Sequence, residues 1–186
     1  MRIIAGSAGG IPLKVPRHVT RPTTDRVREA LFSMLGPHIA GARVLDLFAG
    51  SGSLGLEALS RGATQADFID QNRSACQTLQ ENLLKTRLNG PTARIHQGDV
   101  TTLLPRLRGP FDLIFADPPY QHQPSDPDFA TQLLTHPTLP TLLSPSGSLI
   151  LETKTTKTPP ALPPSWTLIK DRAYGETRLL WLQPTA

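Results

Sequence analysis

The sequence has little that would place it in a membrane or in an oxidising compartment. No run of about 18 apolar residues occurs, so we expect no membrane-spanning helix. The opening Met1–Ile4 leads straight into glycine and proline and lacks the apolar core of a secretory signal, so we expect no such signal. The single cysteine, Cys76, has no internal disulfide partner, and no Cys and His cluster suggests a metal site. We therefore expect a cytoplasmic protein that binds neither metal nor membrane.

The length and charge of the chain fit one globular domain with a basic N-terminal part. The 186 residues are 38% hydrophobic, which suffices for one full core. Residues 1–45 carry seven Lys and Arg against two Asp and Glu, whereas the rest of the chain has a net charge of −1. A basic N-terminal quarter is suited to phosphate contact, although a solvated basic surface gives the same composition. No pattern demands a dimer, so we expect a monomer.

Strands and helices alternate through most of the chain. Before this alternation, residues 2–5 and 12–15 are predicted as two strands of a hairpin around a glycine-rich turn. Thr24 is the predicted N-cap of a helix from Asp25 to about Leu35, which Gly36 ends. Further predicted strands are 43–48, 66–70, 93–97, 111–116, 148–152, 167–169 and 177–182. The predicted helices between them are 53–61, 72–87, a short one after Asp99, and one that begins at 129–134.

This order of elements predicts an α/β fold with a mostly parallel seven-stranded sheet, covered by helices on both faces. The last two strands have no helix between them, so we expect a hairpin that makes the last strand antiparallel. Residues 137–164 are proline-rich and should be mostly loop outside the strand at 148–152. A candidate boundary near residue 20 divides an N-terminal hairpin extension, residues 1–20, from the sheet domain, residues 21–186.

Three glycines after the first strand of the sheet form the pattern G-x-G-x-x-G of nucleotide-cofactor sites: Gly50, Gly52 and Gly55. Glycine lets the backbone approach a ligand closely, but a tight turn with positive φ gives the same pattern. Asp46 lies just before the glycines. A carboxylate there could hold the ammonium or a bridging water of an amino-acid group but would repel a pyrophosphate, which favours S-adenosylmethionine over NAD.

Two further acids follow the second and third strands. Asp70 ends the second strand, where a carboxylate can accept from both ribose hydroxyls or simply cap the next helix. Asp99 precedes Val100 at the start of the short helix. It could accept from an adenine amine, cap that helix, or do both.

The tetrapeptide Asp117-Pro118-Pro119-Tyr120 after the fourth strand is the most specific motif in the chain. Two prolines end the strand and fix the backbone at the edge where ligands bind in open α/β sheets. The exocyclic amine of a nucleobase is a poor nucleophile with two N–H donors. Asp117 and the Pro118 carbonyl could accept both, while Tyr120 stacks on the base. The motif predicts methyl transfer by alignment of the reactants, and a rigid turn with a surface tyrosine is the alternative.

The chain resembles the RsmD family of class I amino-methyltransferases. The segments that carry the resemblance are spread along nearly the whole chain: Arg2–Gly6, Arg21–Phe32, Asp46–Gly52, Leu56–Ala63, Asp117–Tyr120 and Tyr174–Thr177. The resemblance implies a Rossmann-like class I fold and S-adenosylmethionine as cofactor. It also implies N2-methylation of one guanine in 16S ribosomal RNA, within a partly assembled small ribosomal subunit.

The resemblance also implies roles for particular residues. Thr23 and Arg26 would close over the cofactor, in a site completed by Asp46, Phe48, Gly50, Gly52, Asp70, Asp99 and Val100. The N-terminal hairpin would grip RNA with basic residues of this part of the chain: Lys14, Arg17, Arg21 and Arg28. The chain departs from the family pattern in two places, because Ser7–Gly10 carries less bulk and charge than usual and Asp70 replaces the commoner Glu. The polar stretch Gln121–Asp128 is either a loop that orders over the target base or a plain surface loop.

Other functions stay open at this point. A DNA adenine-N6 or protein glutamine-N5 methyltransferase would use the same tetrapeptide chemistry, although a DNA enzyme usually needs a separate recognition domain. An NAD-dependent oxidoreductase would use the glycine turn, but no catalytic residue set supports it and Asp46 argues against it. A non-enzymatic module would bind RNA without transferring a methyl group.

Overall fold

A computed structural model of the protein describes residues 1–16, 24–121, 123, 125–156 and 160–185. Within these ranges seven strands form one sheet in the order β3-β2-β1-β4-β5-β7-β6. The strands are β1 Arg43–Leu47, β2 Gln65–Asp70, β3 Ala93–Gln97, β4 Phe111–Ala116, β5 Leu143–Lys154, β6 Trp166–Tyr174 and β7 Thr177–Pro184. Strands β1 to β5 pair in parallel, and β7 runs antiparallel to both β5 and β6. The predicted α/β fold with an antiparallel last strand is confirmed.

Local capping interactions fix the ends of the helices. They are α1 Asp25–Leu35, α2 Ser53–Ser60, α3 Arg73–Thr86, α4 Val100–Leu103, α5 Phe129–Thr135 and α6 Thr138–Thr141. Helix α1 begins after Thr24, whose hydroxyl accepts from the Val27 amide, and ends at Gly36 with φ of 48°. Helix α3 begins after Asn72, whose side-chain oxygen accepts from the Ser74 amide at 2.8 Å. In the described part of the chain, each helix is too short or too polar to cross a membrane.

The core lies on both faces of the sheet. Successive residues of β4 point to opposite faces, so Leu113 and Phe115 belong to one apolar cluster while Ile114 and Ala116 belong to another. Helices α1, α2 and α3 contribute buried residues to the first cluster, and α4, α5 and α6 to the second. This arrangement leaves the carboxyl ends of the parallel strands as an edge on which a site can form.

The N-terminal segment, residues 1–16, does not form the regular hairpin that the sequence predicts. Its two halves share one isolated antiparallel bridge, between Arg2 and Pro12. The reason is that other groups compete for the backbone amides. The amides of Ile4 and Ala5 donate to the carboxylate of Glu57 in α2, at 2.7 and 3.1 Å.

This segment packs into the same core as the helices. Ile3 and Leu13 are buried in the first apolar cluster. Gly6 has φ of +84°, and a Cβ there would lie 1.8 Å from the Ser60 carbonyl oxygen, so only glycine allows this approach. The boundary predicted near residue 20 lies outside the described residues, and the division into two domains stays a prediction.

Residues 137–147 differ from the predicted loop. Helix α6 lies there, and it buries Leu139 in the second apolar cluster. A proline is tolerated in its first turn because the amides of that turn have no helical partner. Strand β5 then begins at Leu143, which pairs with Phe111, whereas Leu113 pairs with Ser148. Residues 144–147 therefore form an irregular bulge in a longer strand than the sequence predicts.

Candidate active site

The carboxyl ends of the parallel strands border a cavity of about 890 Å³. Its size falls in the range of sites for small molecules, roughly 300–1,000 Å³. The cavity opens beside β1 and β4, the neighbouring strands at which the strand order reverses. Ligands bind at such a reversal in open α/β sheets. Met1 and Pro16 of the N-terminal segment also line the cavity.

The three glycines of the turn after β1 serve two purposes. Gly50 lines the cavity with φ of +55°, and a Cβ there would meet no atom closer than 3.9 Å, so the backbone is open to a ligand. A Cβ on Gly52 would lie 2.1 Å from Leu79 of α3, and one on Gly55 would lie 2.3 Å from Phe68 of β2. Packing therefore requires glycine at position 52. The sequence predicts that Gly52 binds the cofactor, but in the structure it does not line the cavity.

Asp46 lies behind the glycine turn and not on the cavity wall. Its side chain is 2% exposed, and Oδ2 accepts from the Gly55 amide at 2.8 Å. Burial raises the pKa of this carboxyl well above its usual range, and the nearby charges of Asp117 and Asp70 raise it further. Asp46 therefore fixes the turn and does not reach the cavity for the direct ammonium contact that the sequence predicts, whereas a contact through a bridging water stays a prediction.

Asp70 joins the glycine turn to the start of α3 and lines the cavity. Its Oδ2 accepts from the Gly50 amide and its Oδ1 accepts from the Asn72 amide, each at 2.8 Å. Each carboxylate oxygen has a second lone pair, so Asp70 can also accept from two hydroxyls of a ligand. The backbone bonds orient the carboxylate for that purpose.

The side of the cavity near β3 offers an acid and an apolar surface. Asp99 caps α4, because its Oδ1 accepts from the Thr102 amide at 2.9 Å. The same oxygen accepts from the Thr101 hydroxyl at 2.6 Å, and this bond is the main cause of the lowered pKa of Asp99. It also lines the cavity, beside the buried Val100. Phe48 and Phe129 line it too, with ring centroids 5.4 Å apart. This surface suits a flat ring that carries an amine.

These residues fit S-adenosylmethionine. The open backbone at Gly50, the oriented Asp70 carboxylate and the apolar surface beside Asp99 match the amino-acid, ribose and adenine parts of that cofactor. Among the described residues no cluster of three or more His, Cys, Asp or Glu side chains could hold a metal.

All four residues of the tetrapeptide line the cavity: Asp117, Pro118, Pro119 and Tyr120. The Tyr120 hydroxyl donates to Oε1 of Glu152 at 2.8 Å. Burial raises the pKa of Tyr120 above its ordinary value, and the charge of Glu152 raises it further. Tyr120 therefore stays protonated and acts as a hydrogen-bond donor.

The sequence pattern does not predict the cavity wall beyond the tetrapeptide. Glu152 and Lys154 at the end of β5 line it, together with the β6–β7 turn, residues 174–177. Glu152 ends the apolar run Leu149–Leu151 much as Asp117 ends that of β4, a signal that could have marked it. For residues 174–177 the sequence offers only the family motif, because the pairing of distant strands decides which cavity the turn borders.

Arg26 is, like Asp46 and Gly52, a predicted cofactor residue that does not line the cavity. Arg26 is exposed on α1, whereas Thr24 and Val27 line the cavity. Arg26 lies one residue before Val27, which on a helix is about 100° away, so it faces another direction. Thr23 lies outside the described residues.

Of the four predicted RNA-binding residues, the structure describes Lys14 and Arg28. Lys14 lies on the surface, where its Nζ is 2.7 Å from the Glu81 carboxylate. Arg28 is 0% exposed and donates to the Arg2 carbonyl and, at 2.9 Å, to Asp25. The prediction of an RNA contact for Arg28 is therefore wrong, because its guanidinium holds the N-terminal segment against α1. Arg17 and Arg21 lie outside the described residues.

Comparison with known proteins gives consistent matches along the whole chain. Residues 1–183 match the family described as conserved hypothetical protein 95. The chain is 36% identical over 182 residues to ribosomal RNA small subunit methyltransferase D of Escherichia coli strain K12, covering 95% of this chain and 86% of that protein. The same enzyme of Haemophilus influenzae is 36% identical, at 94% and 89% coverage. A solved structure of Escherichia coli yhhF superimposes with a TM-score of 0.80 at 34% identity, covering 100% of this chain and 98% of the other.

Proposed function

Because the chain belongs to the conserved hypothetical protein 95 family, which is the RsmD family, we propose that it methylates N2 of a guanine in small-subunit ribosomal RNA. It is an S-adenosylmethionine-dependent RNA methyltransferase with a Rossmann-like class I fold. The observation that carries the proposal is that one cavity is lined both by Asp70 with the glycine turn and by the Asp117–Tyr120 tetrapeptide. A cofactor site and an amine-holding site thus face the same space.

The cofactor half of the cavity is formed by residues that the chain already orients. When bound, S-adenosylmethionine supplies a methyl group that is activated by its sulfonium. Asp70 would accept from the ribose hydroxyls, and Asp99 would accept from the adenine amine. Gly50 leaves room for the amino-acid part beside its backbone.

The target half would hold the amine. The carboxylate of Asp117 and the carbonyl of Pro118 would accept the two N–H bonds of N2, which turns the nitrogen lone pair toward the methyl donor. The ring of Tyr120 would stack on the guanine. Alignment of this kind recovers roughly 7–11 kcal/mol of barrier, so no strong base is needed. The proton leaves after transfer, when the nitrogen is cationic and acidic.

The finer aspects of the substrate are proposed on charge and family. Lys14 is exposed, and we propose that it contacts RNA phosphates together with Arg17 and Arg21. We propose a partly assembled small ribosomal subunit as the substrate, in the cytoplasm, and a monomeric enzyme.

Mass spectrometry of small-subunit ribosomal RNA nucleosides tests the proposal. RNA from a strain that lacks the gene should lose N2-methylguanosine at one position, and restoring the gene should return it. The Asp117→Ala gene should not return it. Loss of a methylated adenine or of no nucleoside at all would overturn the proposal.

A further inference from the structure

Three polar side chains form a hydrogen-bonded cluster on the cavity wall beyond the tetrapeptide. The Tyr120 hydroxyl lies 2.8 Å from Oε1 of Glu152, and the Thr177 hydroxyl lies 3.3 Å from the same oxygen. The two hydroxyls are 3.3 Å apart. All three residues line the cavity. The cluster belongs to the target half, since Tyr120 is the last residue of the tetrapeptide.

Strand register places Glu152 beside Asp117. Strands β4 and β5 run in parallel, and Ala116 pairs with Leu151. Asp117 and Glu152 each follow by one residue, at the same edge of the sheet, where neighbouring strands lie about 4.8 Å apart. The residue that would hold the amine therefore has a second carboxylate next to it.

The burial of the Glu152 carboxylate at this position requires a physical explanation. Glu152 is 6% exposed, and burying a charge is costly unless polar groups compensate for it. Both hydroxyls lie against the same oxygen, Oε1. A carboxylate accepts about four hydrogen bonds, so it can hold both hydroxyls and also accept from a ligand in the cavity.

Guanine presents a matching edge. Its N2 amine lies next to N1, which carries a hydrogen, so the edge offers adjacent donors. In adenine the ring nitrogen next to the N6 amine has a lone pair instead, which a carboxylate would repel. A carboxylate beside the amine-holding residue would thus distinguish guanine from adenine, because it attracts the N1–H of guanine and repels the lone pair of adenine.

We propose that Glu152 is a specificity-determining residue that accepts a hydrogen bond from N1–H of the target guanine, beside the amine held by Asp117. This inference rests on the proposed function. Thr177, in the closing Tyr174–Thr177 segment, and Tyr120 orient the carboxylate for that contact. The β6–β7 turn thereby contributes to base selection, although it lies far from the tetrapeptide in the chain.

The test uses small ribosomal subunits whose RNA carries either guanine or 2-aminopurine, ligated in at the methylated position. 2-Aminopurine keeps the amine at C2 but has an unprotonated N1. Wild-type protein should prefer guanine in kcat/KM, and Glu152→Gln should narrow that preference by about 10- to 100-fold, the range for a hydrogen bond to a charged group. The narrowing is expected because the amide can accept from guanine N1–H or donate to the bare N1.

Two further measurements separate this role from a structural one. Tyr120→Phe removes one of the two hydroxyl bonds but keeps the carboxylate, which Thr177 still orients, so it should retain most of the guanine preference. Glu152→Gln should bind S-adenosylhomocysteine within about threefold of wild type, because Glu152 lies in the target half.

The possible outcomes distinguish a failure of the proposed function from a failure of the proposed role of Glu152. If wild type methylates neither particle, the proposed function fails. If wild type methylates guanine and Glu152→Gln keeps the full preference, the function stands and the role of Glu152 is overturned. If Tyr120→Phe loses the preference as Glu152→Gln does, the carboxylate acts only through Tyr120 and direct reading is overturned.

Discussion

The hydroxyl of Tyr120 donates to Oε1 of Glu152 at 2.8 Å, although 32 residues separate the two in the chain. The bond ties the tetrapeptide after β4 to the end of β5. Burial and the charge of Glu152 raise the pKa of Tyr120, so the phenol is protonated and remains a donor near neutral pH. A tyrosine held in this way presents its ring in one orientation, as a stacking surface requires.

Substitutions of Tyr120 should separate its ring from its hydroxyl. Tyr120→Ala loses the stacking surface and should lower kcat/KM for RNA by roughly 5- to 150-fold, which corresponds to about 1–3 kcal/mol. Tyr120→Phe keeps the ring and should lose less than about tenfold. Steady-state transfer assays on small subunits measure both. Equal losses in the two variants would assign the role to the hydroxyl instead of the ring.

Replacing Asp70 should weaken the cofactor site. In Asp70→Ala the Gly50 and Asn72 amides lose their acceptor and the ligand loses its own, so the dissociation constant for S-adenosylhomocysteine should rise by more than about tenfold. Titration calorimetry measures it. Asp112→Ala is the matched control, because Asp112 also accepts a backbone amide, from Arg43, but lies outside this cavity. An equal weakening in both variants would show a general loss of fold.

Helix α2 should depend on the N-terminal segment for stability. Glu57 is buried and accepts from the Ile4 and Ala5 amides and from Arg61. Glu57→Ala leaves these donors without an acceptor and should lower the free energy of unfolding by about 3–5 kcal/mol. For a chain of this size the melting temperature should fall by roughly 6–20 °C.

Glu81→Ala is the control for that measurement. Glu81 lies on helix α3 and is the exposed ion-pair partner of Lys14 in the N-terminal segment. Its removal should change the free energy of unfolding by less than about 1 kcal/mol. Calorimetric scans of both variants decide the matter. Similar small shifts would mean that the contacts of Glu57 do not hold the segment in solution.

The basic N-terminal part should set the salt dependence of RNA binding. Changing Lys14, Arg17 and Arg21 together to Gln removes three candidate phosphate contacts. The slope of log binding constant against log salt should fall by roughly 2–3, at about 0.7–0.9 per contact. Arg108→Gln, just before β4 at the other edge of the sheet, should leave the slope unchanged. An unchanged slope in the triple variant would place the phosphate-binding surface elsewhere.

The regular elements followed from local signals. Strand β4 and helix α1 were predicted with their observed bounds, because an apolar run and the Thr24 cap act over a few residues. The expected N-terminal hairpin is reduced to one bridge, beyond which the Ile4 and Ala5 amides donate to Glu57, more than 50 residues away. Competition from a distant side chain has no local signature.

The part of the site that lies at the ends of single strands was predictable. Asp70 ends a strand, Asp99 and the tetrapeptide each come after one, and all line the cavity. Charge alone misplaced Arg28, which is buried, and the position of an acid alone misplaced Asp46, which faces the glycine turn. Both errors arise because the direction of a side chain depends on packing, which the sequence pattern does not specify.

Methyl transfer in vitro by Asp117→Ala tests the central claim most directly. Purified protein, labelled S-adenosylmethionine and small subunits from a strain without the gene are combined, and the labelled nucleoside is identified. Wild type should label N2-methylguanosine, and Asp117→Ala should lose at least about 100-fold in kcat while its affinity for S-adenosylhomocysteine stays within a few-fold. Near-normal turnover by Asp117→Ala, or label in any other nucleoside, would contradict the account.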